Sequence, residues 1–192
     1  MNRNRELFWK LIKPEHVKVR AFCRKLMGSR DDGDDLYQDA LVLALTRFAD
    51  LRNGNAVRPW LYRIVVNTFK NRIRRSRWKN LISLTPEIAD TVGMADPSPA
   101  YAARRKLERA FRALSAEDRA LITLFELEGW SLVELAGLTG KRESAIKVRL
   151  FRARRRMREI LVRSQSPTEY ARTVESAVSE EDICAVPKPN AD

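Results

Sequence analysis

The sequence predicts an all-α protein made of two small helical domains joined by a flexible linker. Apolar residues recur at helical spacing along two long stretches, without the alternation that is typical of strands. Turn-forming residues gather in a few short segments, and one proline-rich segment separates the two stretches. We therefore place the first domain at residues 1–80, the linker at 81–100 and the second domain at 101–163.

The balance of charge indicates a polyanionic partner. The 192 residues include 37 Lys and Arg against 25 Asp and Glu, a formal net charge of +12 at pH 7. Such an excess is typical of proteins that bind nucleic acid. Two distant cysteines and one histidine match neither a zinc site nor a disulfide framework, so we expect no metal. The sequence has no signal peptide and no apolar run of about 18 residues, which predicts a cytoplasmic protein without membrane insertion.

The first domain contains an acidic helix, predicted in the segment DDGDDLYQDALVLALTRF. Aspartates at a helix N-terminus offset the positive end of the helix dipole. Their spacing does not match a calcium-binding EF-hand loop, so metal binding is a weak interpretation. Asp35, Gln38 and Asp39 form a polar face that suits either solvent or a protein partner.

A basic helix follows, predicted in the segment WLYRIVVNTFKNRIRRSRW. Leu61, Val65 and Phe69 repeat every four residues and should be buried. A second face is polar and consists of Arg63, Asn67, Asn71 and Arg74. Asparagine amides both donate and accept hydrogen bonds, which suits bases better than lipids. The polar loop RNGNAVRP just before the helix can accept an unstacked base of a single strand.

The sequence of the second domain predicts a helix-turn-helix, a motif whose second helix lies in the major groove of DNA. Ser131 begins a short helix, the residues TGK form the turn, and a long helix follows. Nine basic residues and one acidic residue lie from Lys141 to Arg158. Four residues of the long helix can reach base edges: Lys147, Val148, Phe151 and Arg152. Four others are better placed for phosphates: Arg149, Arg154, Arg155 and Arg156.

In this order, the parts resemble an extracytoplasmic-function (ECF) sigma factor of bacterial RNA polymerase. The segments that carry the resemblance are DDLYQDALVLALTRF, WLYRIVVNTFKNRIRRSRW and GWSLVELAGLTGKRESAIKVRLFRARRRM. The resemblance implies a protein that is not an enzyme, needs no cofactor and directs core polymerase to promoters. It implies as partners promoter DNA, the beta-prime clamp helices and the beta flap of the polymerase, and an anti-sigma factor.

The resemblance also assigns roles to residues that match the motifs of the family. It implies that the acidic helix binds core polymerase through Asp35, Leu36, Gln38 and Asp39. It implies that the promoter −10 element is held by Arg52, Asn53, Gly54, Asn55, Ala56, Arg63, Asn67, Lys70, Asn71 and Arg74. It implies that the −35 element is read by Arg142, Ser144, Lys147, Val148, Arg149, Phe151, Arg152 and Arg155. Val148 stands where family members often carry a small polar residue, so we expect an apolar contact there, for instance with a thymine methyl group.

After the second domain the net charge of the chain changes from positive to negative. Residues 164–192 hold six acidic and two basic side chains, a net charge of about −4 on an otherwise basic chain. We expect this segment to be either disordered or a regulatory segment that competes for the basic surfaces.

Three alternatives remain open on the residues alone. A helix-turn-helix repressor would bind duplex DNA without polymerase. An RNA-binding or ribosome-associated protein would share the basic charge. A nucleic-acid enzyme is disfavoured, because the sequence has no Walker loop, nucleophile elbow or paired-carboxylate site.

Overall fold

The chain folds into helices joined by short turns, in a computed structural model that describes residues 2–51, 53–82 and 99–163. Its α-helices are α1 (Asn2–Ile12), α2 (His16–Met27), α3 (Arg30–Thr46), α4 (Val57–Ile82), α5 (Pro99–Arg112), α6 (Ala116–Ile122), α7 (Leu132–Thr139) and α8 (Glu143–Arg163). No strand occurs within the described residues, and the all-α prediction is confirmed. The acidic segment 164–192 and most of the predicted linker lie outside the described residues. Among the helices described, none has the length and apolarity needed to cross a membrane.

In the first block, α1 to α4, the absence of a side chain at Gly33 lets α2 and α3 pack close together. α2 ends at Gly28, whose backbone is left-handed (φ 74°). Ser29 then caps α3 by accepting a hydrogen bond from the Asp32 N–H. A Cβ atom at Gly33 would lie only 2.4 Å from the Arg24 Cα, so any side chain at position 33 must push the two helices apart.

Two arginines of α2 also clamp one carboxylate of α3. Arg20 and Arg24 each donate two hydrogen bonds to Asp34, at N–O distances of 2.6–2.9 Å. The hydrogen bonds from Arg24 and then Arg20 hold the pKa of Asp34 well below its usual range. The carboxylate is therefore charged at neutral and mildly acidic pH.

The second block, α5 to α8, contains the two helices of the predicted helix-turn-helix. Ser131 and Glu134 form a capping box at the start of α7. Gly140 ends α7 in the left-handed conformation (φ 69°) and leads the chain into α8. The inner face of α8 is buried through Ile146, Leu150 and Ala153. α8 thus presents its basic face on the outside of the block.

The two blocks pack against each other and share one hydrophobic core, and most of the predicted linker lies outside the described residues. The ring centroids of Tyr62 on α4 and Trp130 before α7 lie 4.9 Å apart. Lys25 on α2 forms an ion pair with Glu128 at an N–O distance of 2.8 Å. Helical periodicity indicates which face of a helix is buried but not which helix covers it, so this contact could not be predicted.

Arg119 of α6 is the buried charge at the contact between the blocks, with 6% of its surface exposed. Its guanidinium carbon lies 4.9 Å from the ring centroid of Phe69 on α4 and 5.2 Å from that of Phe111 on α5. The guanidinium also donates a hydrogen bond to the Leu26 carbonyl in the last turn of α2. Burial lowers the pKa of Arg119 to about 10, so the side chain stays charged at neutral pH. One side chain therefore joins α6 to both α2 and α4.

We expect Gly33→Ala to destabilise the fold by about 1–3 kcal/mol, because the added methyl group collides with α2. Gly137→Ala is the matched control, since nothing lies within 4 Å of its Cβ position. Alanine favours the helix there, so this control should match the wild type or exceed it by about 0.4–1 kcal/mol. Urea unfolding followed by circular dichroism measures both variants. Equal stability of the two would contradict the close approach of α2 and α3.

We expect Asp34→Asn to lower stability at pH 7, because asparagine cannot carry the charge that Arg20 and Arg24 bind. The folded-state pKa of Asp34 is depressed, so its contribution is present above the unfolded pKa and is lost as pH falls through the folded pKa. The difference in urea midpoint between wild type and variant should therefore be wide at pH 7 and shrink below about pH 4. A difference that stays constant down to about pH 2 would rule out this charge dependence.

Candidate nucleic-acid interface

α4 presents the predicted polar face to solvent. The helix has 26 residues and is about 39 Å long. Leu61, Val65 and Phe69 are buried, as the periodicity predicted. The exposed side chains include Arg63, Asn67, Lys70, Asn71 and Arg74. Because the asparagine amides lie among cationic groups, this face can bind both bases and phosphates.

Arg63 is engaged by the second block. Its Nε donates to the Leu138 carbonyl at 3.0 Å, and its Nη2 donates to the Gly137 carbonyl at 2.7 Å. Both carbonyls belong to the last turn of α7, where helix carbonyls lack partners within the helix and the dipole favours a cation. Arg63, one of the predicted −10 residues, is thus bound to the second block while the blocks are packed.

The loop before α4 is only partly described. Residues Gly54–Ala56 form a short 3₁₀ turn, and the Ala56 N–H donates to the Asn53 carbonyl at 3.0 Å. Asn53 and Gly54 are exposed and Ala56 is half-buried. Arg52 lies outside the described residues, as does the side chain of Asn55. The described part of the loop therefore adjoins the start of α4 with its polar residues facing solvent.

α8 carries the second basic surface, beside a groove of about 720 Å³. Five of the predicted −35 residues line this groove: Arg142, Ser144, Val148, Arg149 and Arg152. Two more lie exposed on the same helix, Lys147 and Phe151, and the Phe151 ring is 65% exposed. Arg155 instead pairs with Glu159 along the helix, at 3.0 Å. An exposed phenylalanine among cationic side chains is costly in water, which favours a surface that a partner covers.

Arg149 differs from its neighbours because acidic side chains position it. It lies 2.8 Å from a Glu117 carboxylate oxygen and donates to Asp118 at 2.5 Å. Burial alone would raise the pKa of Glu117, but the hydrogen bond from Lys141 and the charge of Arg149 outweigh it and lower the pKa. The start of α6 therefore holds Arg149 in a defined orientation at the edge of the groove.

The acidic helix α3 presents an exposed anionic face that one arginine of α4 organises. Asp35 and Asp39 are both 64% exposed, and each has a carboxylate oxygen 3.5 Å from an Arg72 nitrogen. Gln38 is exposed between them. Within the described residues, no group of His, Cys, Asp and Glu side chains is arranged to hold a metal ion. The face is therefore suited to a cationic protein surface.

The structure corrects one predicted contact and adds one residue. Leu36 was predicted to contact core polymerase, but its side chain is completely buried in the core, so it can only support its exposed neighbours. Arg72 was missed, because in sequence it is one basic residue within a basic run. Only the packing of α3 on α4 distinguishes it, since that packing places three aspartates within 4 Å of its guanidinium.

The comparison with known proteins assigns the chain to a family. Residues 11–79 match Sigma-70 region 2, and residues 104–157 match Sigma-70 region 4. The ECF RNA polymerase sigma factor SigM of Mycobacterium tuberculosis is 30% identical over 158 residues, which cover 82% of this chain and 79% of that protein. The chain belongs to the ECF sigma factors.

Two solved structures show the same helical architecture. The sigma factor RpoE of Bartonella quintana, determined in complex with the anti-sigma factor NepR, superposes with a TM-score of 0.61 at 26% identity and covers 82% of this chain and 98% of that chain. CnrH, determined in complex with the cytosolic domain of CnrY, superposes with a TM-score of 0.56 at 22% identity over 84% of this chain and 91% of that chain, which supports the fold alone. This ECF sigma factor therefore acts in transcription initiation, as a DNA-binding regulator that works with RNA polymerase.

Proposed function

We propose that this ECF sigma factor reads the −35 promoter element with α8 and captures the −10 element with α4 and the loop before it. The observation that carries this proposal is that the two blocks each expose one basic surface with side chains able to recognise bases. α4 offers Asn67 and Asn71 among cations, and α8 offers Arg152 beside the apolar Val148 and Phe151. The acidic face of α3 carries the opposite charge and is left for the polymerase.

On α8, the shape of the surface supports contact with duplex DNA. A single α-helix fits the major groove, and arginine can form two hydrogen bonds to guanine. Arg152 is exposed on the groove that Arg142 and Ser144 also line. Val148, 49% exposed, is suited to a thymine methyl group.

On α4, the chemistry of the exposed face supports contact with a single strand. Asn67 and Asn71 are one helical turn apart, so their amides can approach neighbouring unstacked bases. Lys70 and Arg74 lie beside them and can bind the strand's phosphates. The exposed loop residues Asn53 and Gly54 precede the helix.

We assign core polymerase binding to Asp35, Gln38 and Asp39 on α3, facing the clamp helices of the beta-prime subunit, with the second block near the beta flap. Carboxylates that are about two-thirds exposed can exchange Arg72 for basic residues of a partner at little cost. Work with the polymerase places the protein in the cytoplasm. An anti-sigma factor is a further partner, by analogy with the RpoE–NepR complex.

The packed arrangement must open before both promoter elements can be bound. Elements centred roughly 25 base pairs apart are separated by about 85 Å of B-DNA. A compact unit of this size is only about 40 Å across. The 16 residues between the described ends of α4 and α5, Ile82 and Pro99, can span at most about 53 Å when extended. Separation of the blocks on this connection lets each surface reach its element.

Run-off transcription with bacterial core polymerase tests the proposed function. With this protein present, a pool of promoter fragments should produce new transcripts whose start sites share upstream −35 and −10 sequences. A protein that shifts duplex DNA alone, and yields no such transcripts with the polymerase of its own organism, would be a repressor instead.

We expect Asn67→Ala combined with Asn71→Ala to impair promoter opening while polymerase binding is kept, because both amides are exposed on α4, whereas the polymerase contacts are assigned to α3. Loss of two base contacts should slow opening by roughly tenfold or more, at about 1–3 kcal/mol per contact. Permanganate footprinting measures opening and co-purification measures binding. Asn4→Ala removes an exposed asparagine on α1 and serves as control. Equal loss of opening and polymerase binding in the double variant would refute the role of this face.

We expect Arg152→Ala to weaken binding to the preferred −35 sequence by about 1–3 kcal/mol and to relax specificity at one position. Arg156→Ala is the matched control, because it removes the same charge from an exposed site farther along α8. The control should weaken binding to all sequences alike, as a phosphate contact does. Affinity selection on randomised −35 duplexes with the assembled holoenzyme separates the two effects. Identical sequence preferences in both variants would make Arg152 a phosphate contact.

A further inference from the structure

A second groove, of about 480 Å³, lies between the two blocks. It is lined by residues of both proposed DNA-binding helices, α4 and α8, and so belongs to neither DNA surface alone. The C-terminal half of α4 forms one wall, and α6 with α8 forms the other. Its cationic lining consists of Lys70, Arg74, Arg77 and Arg149. Because both blocks contribute, the groove exists only while they are packed together.

The groove combines unneutralised positive charge with an exposed aromatic ring. The ion pairs of α4 involve Arg58 and Arg72, and among the described residues they leave Arg74 and Arg77 without an acidic partner. Trp78 lines the same groove and is 64% exposed. Glu117, also in the lining, is already bound to Lys141 and Arg149. An acidic peptide that carries an apolar side chain would satisfy both features.

The acidic segment that follows α8 has this chemistry. Glu180, Glu181 and Asp182 are consecutive, and Ile183 follows directly in the run EEDICAV. These are the densest negative charges after Arg163 in a chain of net charge +12. Three carboxylates can meet the free cations of the groove while the isoleucine covers the indole of Trp78.

The tether is long enough for this segment to reach the groove on its own molecule. Arg149 lies 14 residues before the end of α8 at Arg163, about 21 Å along the helix. Glu180 lies 17 residues after Arg163, and a chain of that length can span up to about 56 Å. Attachment also keeps the segment at a local concentration of about a millimolar, so a weak contact suffices.

We propose that Glu180–Ile183 docks in this groove and holds the two blocks in their packed arrangement. The docked segment pairs with Arg74 and Arg77 of α4 against the wall formed by α6 and α8, and it covers Asn71, which also lines the groove. Docking itself does not depend on the proposed function, but its consequence does, since occupancy would mask parts of both DNA surfaces. Basic side chains become available for DNA when the segment leaves.

Site-specific crosslinking of the full chain tests docking directly. Cys184 adjoins the proposed segment, whereas Cys23 is completely buried in the core. A maleimide-benzophenone probe therefore labels Cys184 selectively in the folded protein. After irradiation, mass spectrometry should locate crosslinks at Ile73–Trp78 of α4 and at Ser115–Glu117. Crosslinks found only elsewhere in the chain would overturn the proposal.

A charge-neutral variant and a matched control separate docking from a general effect of charge. Glu180→Gln with Glu181→Gln and Asp182→Asn removes the docking charges. Glu169→Gln with Glu175→Gln and Asp192→Asn changes the net charge equally outside the docking run. The first variant should lose the groove crosslinks and bind duplex DNA roughly fivefold more tightly at about 0.1 M salt. That gain should vanish near 0.5 M salt, where the charges are screened. The control should keep the crosslinks and the affinity of the wild type.

The remaining outcomes distinguish local docking from effects of bulk charge, from pairing of two copies and from masking of DNA. Equal effects of the two variants would show that bulk charge is responsible and would refute local docking. Mixed isotope-labelled and unlabelled protein distinguishes crosslinks within one chain from those between chains, and only crosslinks between chains would mean that a second copy occupies the groove. Groove crosslinks in the wild type, with no transcription from either the wild type or the charge-neutral variant, would leave docking intact and refute the proposed promoter recognition. Groove crosslinks without a change in DNA affinity would refute the masking of DNA surfaces.

Discussion

The structure depends on one buried cation where its two helical blocks meet. Arg119 reaches from α6 to the Leu26 carbonyl of α2 and to the ring of Phe69 on α4, so elements far apart in sequence share one side chain. Its Nε has no hydrogen-bond partner among the described residues, which means that burying this charge is only partly compensated. An interface built around such a group is specific in geometry without being strongly stable. That combination suits a contact that must form in one arrangement and later separate.

The functional surfaces follow from the same constraint. Burial of one face of α4 and one face of α8 in the common core leaves their polar faces outside, and Asn71 of α4 and Arg149 of α8 line the same groove. Arg63 shows how this arrangement restrains function, because its guanidinium is bound to the end of α7 while the blocks are packed. For α4 to hold the −10 strand as proposed, Arg63 must first leave these carbonyls, which links DNA binding to opening of the molecule.

Local features of this protein were predictable from sequence, and contacts between distant elements were not. Helical spacing identified the buried seam of α4, and the position of Ser131 identified a helix start, because both depend on neighbouring residues. Leu36 was predicted to contact the polymerase because it belongs to the family motif, but its side chain is buried. A motif does not distinguish residues that contact a partner from residues that support their neighbours. The pairing of Tyr62 with Trp130 involves residues that are ordinary core candidates when considered separately. Arg72 likewise differs from the nearby arginines of α4 only because three aspartates of α3 lie within 4 Å of its guanidinium.

The position of Arg72 gives α4 two electrostatic roles at once. Its guanidinium neutralises Asp35 and Asp39 on the side of α3, and it directly follows Asn71 on the face assigned to DNA. A basic partner that takes over these aspartates deprives Arg72 of its counter-ions and leaves an additional positive charge beside the nucleic-acid surface. By thermodynamic reciprocity, the anionic strand must then strengthen the hold of the protein on that partner to the same degree. Under the roles proposed for α3 and α4, a single arginine thus makes α4 a coupling element, through which polymerase and promoter DNA each increase the affinity for the other.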